Sequence, residues 1–163
     1  MTVVSDTSVL RYLVTLGQAE LLPRRFGKLL LSPEVADECR HASSPAALRS
    51  FIDSAPAWLD IESAPLLAVP GLERLDRGES AAIRLALHRK ADLLLIDERI
   101  GRSVAASAGL RVSGTLGVLA DAAERGWLDF DLHVQRLLAE TNFRVSPQVI
   151  EAVRGLLQNS ATE

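Results

Sequence analysis

The 163-residue sequence has one cysteine, three histidines and seven aromatic residues (two Trp, one Tyr, four Phe). A single cysteine excludes an internal disulfide framework and any Cys-rich zinc module, so Cys39 reads as a small buried apolar residue in a reducing compartment. His41, His88 and His133 are scattered along the chain and do not suggest a His-ligated metal. So few aromatics offer no stacking platform for single strands. Positive charge is not in excess either: 18 Lys+Arg against 21 Asp+Glu give a formal charge of −3, which excludes a broad basic clamp. No apolar run approaches the roughly 20 residues that span a bilayer. The N-terminus lacks a basic segment leading into a long apolar one, so a cytoplasmic protein without a membrane partner is expected. What remains is 48% hydrophobic and 24% charged, the composition of one folded globular chain. Its chemistry falls to carboxylates.

Short apolar runs alternate with amphipathic ones. Val3-Val4-Ser5 predicts a buried first strand running into Asp6-Thr7-Ser8, one of which caps a helix over residues 9–22 that is interrupted near Gly17. A second strand at 29–31 is followed by Ser32-Pro33, an N-cap with proline at the first helical position, opening a helix to about residue 40. A short helix at 46–53, a strand at 58–61 and a Pro/Gly-bearing loop come next. Asp76 then opens a strong helix to about residue 89, and Leu93-Leu94-Leu95-Ile96 is apolar on both faces, as a central parallel strand is. A helix at 100–108, a strand at 110–113 and a helix at 116–125 complete the alternation, with two further helices at 132–140 and 147–158. This order predicts an α/β fold with a parallel sheet, whose site lies at the carboxyl ends of the strands.

Four acids stand out by position. Asp6 and Asp97 close two strands at the same edge of the sheet. Glu38 lies beside the apolar side of its helix, marked by Val35 and Cys39. Glu79 continues the stripe Ala82, Ile83 and Ala86 at its N-terminal end, which aims it inward. Each also has a structural role open to it. Asp6 and Asp97 can cap the helices that follow, Glu79 with Asp76 resembles a capping box, and Glu38 can belong to a solvated face with Glu34 and Asp37. Clustered carboxylates hold protons unless a cation joins them. A hard divalent ion, Mg²⁺ or Mn²⁺, suits oxygen donors and offsets charge on a phosphodiester during phosphoryl transfer.

The residues that carry these positions resemble the PIN-domain nucleases, most closely a bacterial and archaeal subfamily first catalogued as a domain of unknown function and grouped with VapC-type toxins. The matching stretches are Val4-Ser5-Asp6-Thr7-Ser8, Leu31-Ser32-Pro33-Glu34-Val35 through Glu38, and Leu75-Asp76-Arg77-Gly78-Glu79-Ser80-Ala81-Ala82-Ile83. Leu94-Leu95-Ile96-Asp97-Glu98 with Gly101-Arg102, and Ser113-Gly114-Thr115-Leu116-Gly117-Val118-Leu119, complete the set. The resemblance implies a three-layer α/β/α fold with a central, mostly parallel sheet of four to five strands over residues 1–128. A C-terminal helical extension over 129–163 would then pack on the same domain or at a dimer interface. It implies Asp6, Glu38, Glu79 and Asp97 as catalytic metal ligands, with Thr7 or Ser8 as the hydroxyl ordering the first acid and touching substrate. The implied activity is Mg²⁺- or Mn²⁺-dependent cleavage of RNA by water, and the implied partners are a second copy and a small antitoxin protein. The chain departs from many PIN nucleases by carrying Gly114-Thr115 where they place a further acid, and Glu98 where a second Asp is common.

Substrate contacts are sparser. Arg102, one turn after Asp97, can reach a phosphate or form a surface salt bridge, and Arg24, Arg25 and Lys28 form a small basic cluster that can track an RNA backbone or simply line a solvated turn. Thr115 in place of a late acid motivates a competing expectation, a PIN-like module with little or no cleavage that holds RNA or a partner protein. A phosphate-binding doubly wound domain is weaker, because no Gly-rich loop follows the first strand. Setting the four acids aside leaves 17 acids against 18 bases, so the net acidity is expected to be local to one site.

Overall fold

A computed structural model describes residues 1–161, so the last two residues of the expected C-terminal extension, 162 and 163, lie outside the described residues. The chain forms two compact units, Met1–Thr115 and Leu116 onward.

The first unit carries a five-stranded sheet. Its strands β1 (Val3–Ser5), β2 (Leu29–Leu31), β3 (Leu59–Ile61), β4 (Leu93–Leu95) and β5 (Val112–Ser113) stand in the order β3-β2-β1-β4-β5. Every pairing is parallel, so each connection must cross over, and helices fill the crossovers to give the α/β/α layering that the sequence implied. The helices are α1 (Thr7–Thr15), α2 (Leu21–Phe26), α3 (Pro33–Arg40), α4 (Ala46–Asp53), α5 (Arg77–His88) and α6 (Arg99–Ser107). α1, α3 and α4 pack on one another, α5 lies against β1 and β4, and α6 lies against β5. Val3, Val4, Leu29, Leu31, Leu94 and Leu95 are buried, which is why these strands read as unbroken apolar runs instead of alternating ones.

Local chemistry sets the boundaries. The Ser32 hydroxyl accepts the Val35 amide at 3.1 Å and caps α3, with Pro33 in the first turn where its missing N–H costs nothing. The expected helix over 9–22 is two helices. Gly17, at φ +70°, terminates the first, with its own N–H on the Val14 carbonyl and the Gln18 N–H on the Leu13 carbonyl, a Schellman ending. The loop after β3 holds one short 3-10 turn, Leu72–Arg74, before α5.

The second unit carries α7 (Thr115–Glu124, whose first residue belongs to the first unit), α8 (Phe130–Glu140) and α9 (Pro147–Ala161). The Asp129 carboxylate caps α8 by accepting the Leu132 amide at 2.8 Å. Leu119, Val134 and Leu137 are buried, whereas Leu132, Val149 and Leu156 are exposed. Among the described residues no helix is long and apolar enough to cross a membrane.

Candidate metal centre at the carboxyl edge of the sheet

The strand order reverses direction at β1, whose neighbours are β2 on one side and β4 on the other. In doubly wound sheets the crevice beyond the carboxyl ends at such a switch point is where ligands bind. Register places Ser5 opposite Leu95, and the Asp6 amide donates to the Leu95 carbonyl at 2.8 Å. Asp6 and Asp97 therefore leave adjacent strands at the same edge. Their neighbourhood is the expected one, and the strands that carry them are hydrogen-bonded to each other.

Asp6 occupies the N-cap position of α1 but makes no capping hydrogen bond with its side chain. The residue is only 4% exposed, and its Oδ1 has no hydrogen-bond partner among the described residues. A buried carboxylate oxygen without a donor is costly for a purely structural residue. Burial pushes its carboxyl up from 3.8 to about 7, the Thr7 backbone N–H opposes this, and the negative charges of Glu38, Glu79 and Asp76 add to it. Asp6 thus sits inside an acidic group.

Glu38 is half-buried on α3, and the Thr7 hydroxyl donates to its Oε2. Thr7 therefore orders Glu38 through its side chain, while Ser8 is half-buried in the first turn of α1. Asp37, by contrast, is exposed and pairs with Arg40 at 3.8 Å, so the acids of α3 divide between a solvated face and the site. α3 and α5 pack against each other, and at Gly78 a Cβ atom would land on the Glu38 carboxylate. Only glycine leaves Glu38 where it is.

Glu79 does form the capping box. Its amide donates to Asp76 Oδ1 at 2.8 Å, and its Oε2 accepts the Asp76 amide at 3.2 Å. Burial still raises its carboxyl from 4.5 to about 7, opposed by that backbone bond and reinforced by Asp76 and Glu98. The box holds the carboxyl at the start of α5, on the same edge as Asp6.

Asp97 is differently placed. Its Oδ1 accepts the Thr115 amide and its Oδ2 the Thr115 hydroxyl, both at 2.7 Å. Asp97 thereby caps the start of α7, whereas α6 is capped by Glu98, which accepts the Ile100 and Gly101 amides. Burial raises the Asp97 carboxyl, and the two Thr115 bonds, then the charges of Arg102 and Arg11, lower it. Gly114 keeps this corner open: a Cβ there would stand 2.5 Å from Asp97 Oδ1 and 2.9 Å from Arg102 Nη1. Arg102 is half-buried and points its Nη1 at the Ile96 carbonyl at 3.4 Å, with no salt bridge among the described residues.

The four acids share one edge, but three of them are tied to protein donors. Glu38 is held by Thr7, Glu79 by Asp76 and Asp97 by Thr115. Among the described residues, no three His, Cys, Asp or Glu side chains close together as a ligand group in this state. The donors are all hard oxygens, and the orphaned Asp6 Oδ1 is a natural first ligand for a hard divalent cation; on that ground the residues fit Mg²⁺ or Mn²⁺. Gly78 and Arg11, and the contacts of Gly114 and Thr115 with Asp97, are what reading the sequence missed. A glycine inside the first turn of an otherwise strong helix was the one available signal. The basic cluster Arg24, Arg25 and Lys28 precedes β2 and so lies at the opposite, amino edge of the sheet, with Lys28 3.8 Å from Asp60.

Fold and site together define a class: a doubly wound parallel α/β domain whose switch point is lined by carboxylates. A family model for the PIN domain matches residues 2–159, and the chain belongs to that family, whose fold is of the nuclease type. No curated protein gives a match to the chain.

Proposed function

We propose that the protein is a divalent-metal-dependent endoribonuclease, using Mg²⁺ or Mn²⁺, and the toxin of a type II toxin–antitoxin pair. The observation that carries the reading is Asp6, buried beside three other acids with one oxygen lacking any donor. Asp6, Glu38 and Glu79 would hold the ion, with Asp97 at the rim of the same group. A divalent ion there supplies a Lewis acid that lowers the pKa of water and offsets charge building on the phosphodiester. The protein's own part is positional. Thr7 fixes Glu38, the capping box fixes Glu79, and Thr115 fixes Asp97, so the acids are oriented before substrate arrives. Asp6 and Glu79 carry protons near pH 6 and lose them when a cation enters, so ion binding strengthens as pH rises toward 8. Arg102, whose charge acts on Asp97 but which forms no ion pair among the described residues, would meet the substrate phosphate.

The test is cleavage of single-stranded RNA by the purified chain with Mn²⁺ and with EDTA, alongside Asp6→Asn and Asp97→Asn. Cleavage that needs both the ion and Asp6 is expected; cleavage that survives EDTA sinks the reading. For the toxin role and the pairing of two copies, the exposed Leu132, Val149 and Leu156 of the second unit offer apolar surface that a second copy or an antitoxin would cover. Sedimentation of the chain alone and with the product of the reading frame directly upstream measures both.

A second reading has its own observation. Thr115 stands where many PIN nucleases carry an acid and occupies both oxygens of Asp97, which favours a PIN-like module that binds RNA or protein with little cleavage. Calorimetry with Mn²⁺ separates the two, because this reading predicts no binding at millimolar ion.

A further inference from the structure

Four arginines border the acids at the carboxyl edge. Arg77 and Arg99 are the first residues of α5 and α6, and both are exposed. The positive end of a helix dipole disfavours a cation there, and acids are the usual occupants of a first turn. Arg102 lies three residues further along α6, and Arg11 lies on α1 four residues after Thr7, on the same helical face as the hydroxyl that holds Glu38. Arg11 is fixed by a neutral neighbour: its Nη2 donates to the Tyr12 hydroxyl at 3.2 Å, and its guanidinium stands 4.9 Å from that ring's centroid. Among the described residues none of the four has a carboxylate within ion-pairing distance, a state they share with other arginines such as Arg74 and Arg111; what sets them apart is their place at the carboxyl edge, where the charges of Arg102 and Arg11 already act on Asp97. Three helices thus bring unpaired guanidinium groups to one edge, two of them at positions that helix electrostatics oppose.

We infer that Arg11, Arg77 and Arg99, together with Arg102, form a discontinuous cationic rim that binds the phosphates of single-stranded RNA on either side of the bond to be cut. The inference rests on the nuclease reading and deepens it. A chain of net charge −3 can hold a polyanion in this way, because its acids are pooled under the ion and its unpaired bases ring them. Arginine suits the task, since its planar fork grips a phosphate oxygen pair and stays charged at any working pH. The Arg24, Arg25 and Lys28 cluster, at the opposite edge, takes no part.

The experiment measures binding of a fluorescein-labelled single-stranded RNA decamer to the full chain carrying Asp6→Asn, in Mg²⁺, as a function of salt. Against that background, Arg11→Gln/Arg77→Gln/Arg99→Gln is compared with Arg24→Gln/Arg25→Gln/Lys28→Gln, which removes the same charge elsewhere. Each lost phosphate contact lowers the slope of log affinity on log salt by about 0.7 for a single strand, so the rim variant loses about 2 and the control close to none. Affinity of the rim variant at low salt falls at least tenfold. Its melting temperature, and the Mn²⁺ affinity of the rim variant built with Asp6 intact, stay near those of the matching parents, which separates a lost rim from a lost fold or a lost ion site. Equal slopes in the two triple variants overturn the inference, and so does a loss confined to the control. If the unaltered chain cleaves RNA but the rim variant keeps the slope of its Asp6→Asn parent, only the rim falls. If the unaltered chain does not cut RNA and the Asp6→Asn parent does not bind it, the nuclease reading falls as well.

Discussion

At the scale of single residues, the site is held by side chains whose partners are themselves diagnostic. Asp6→Asn removes a carboxyl that burial holds near pH 7, so the variant keeps or raises the melting temperature at pH 8 while losing Mn²⁺ binding. Thermal melts with calorimetry check this, and a drop of several degrees without metal contradicts it. Gly78→Ala places a methyl group on the Glu38 carboxylate. Because Glu38 is long and half-buried it swings aside, so the fold survives and Mn²⁺ affinity drops at least tenfold; an unchanged titration shows that Glu38 is not a ligand. That Asp6, Glu38, Glu79 and Asp97 meet at one edge was legible, because they fall at strand ends and beside apolar helix faces. Their partners were not. Thr115 reaches back 18 residues to Asp97, and Thr7 reaches 31 residues ahead to Glu38, and no local pattern encodes such distances.

At the scale of elements, helix starts do most of the positioning. α1, α5, α6 and α7 each begin with an acid at or beside the first turn: Asp6, the Asp76–Glu79 box, Glu98 and Asp97. The sequence left a cap for α6 open to Asp97 as an alternative to metal binding. In the structure Glu98 takes that role, and Asp97 is released to cap α7 from across the β4–β5 pair. Thr115→Val deletes the hydroxyl bond but leaves the amide, which costs about 1–2 kcal/mol of stability in a urea titration. A variant as stable as the parent shows that the Thr115 hydroxyl contributes nothing to the start of α7. Strand order lay beyond the periodicity, since a parallel strand of three apolar residues reads alike whether its neighbours precede or follow it in the chain. The break in the first helix was visible through Gly17, because the left-handed backbone there is one that glycine alone adopts cheaply.

At the scale of the whole molecule, the charge distribution couples stability to pH. Asp6 and Glu79 have folded-state pKa values raised to about 7 from 3.8 and 4.5, so between those limits the folded chain binds more protons than the unfolded one. Stability therefore declines as pH rises from about 4 to 7, and the full cost is present above 7. In EDTA the melting temperature is higher at pH 5 than at pH 8, and added Mn²⁺ raises it more at pH 8, where the carboxylates are already ionised. Equal melting temperatures at the two pH values in EDTA contradict the buried, mutually repelling acids on which the site is built. The most direct single measurement is cleavage of a labelled single-stranded RNA by the purified chain and by Asp6→Asn, each with Mn²⁺ and with EDTA. The unaltered chain is expected to cut with Mn²⁺ and not with EDTA, and Asp6→Asn, melting normally, not to cut at all. Equal cutting by Asp6→Asn, or by the unaltered chain in EDTA, contradicts that expectation.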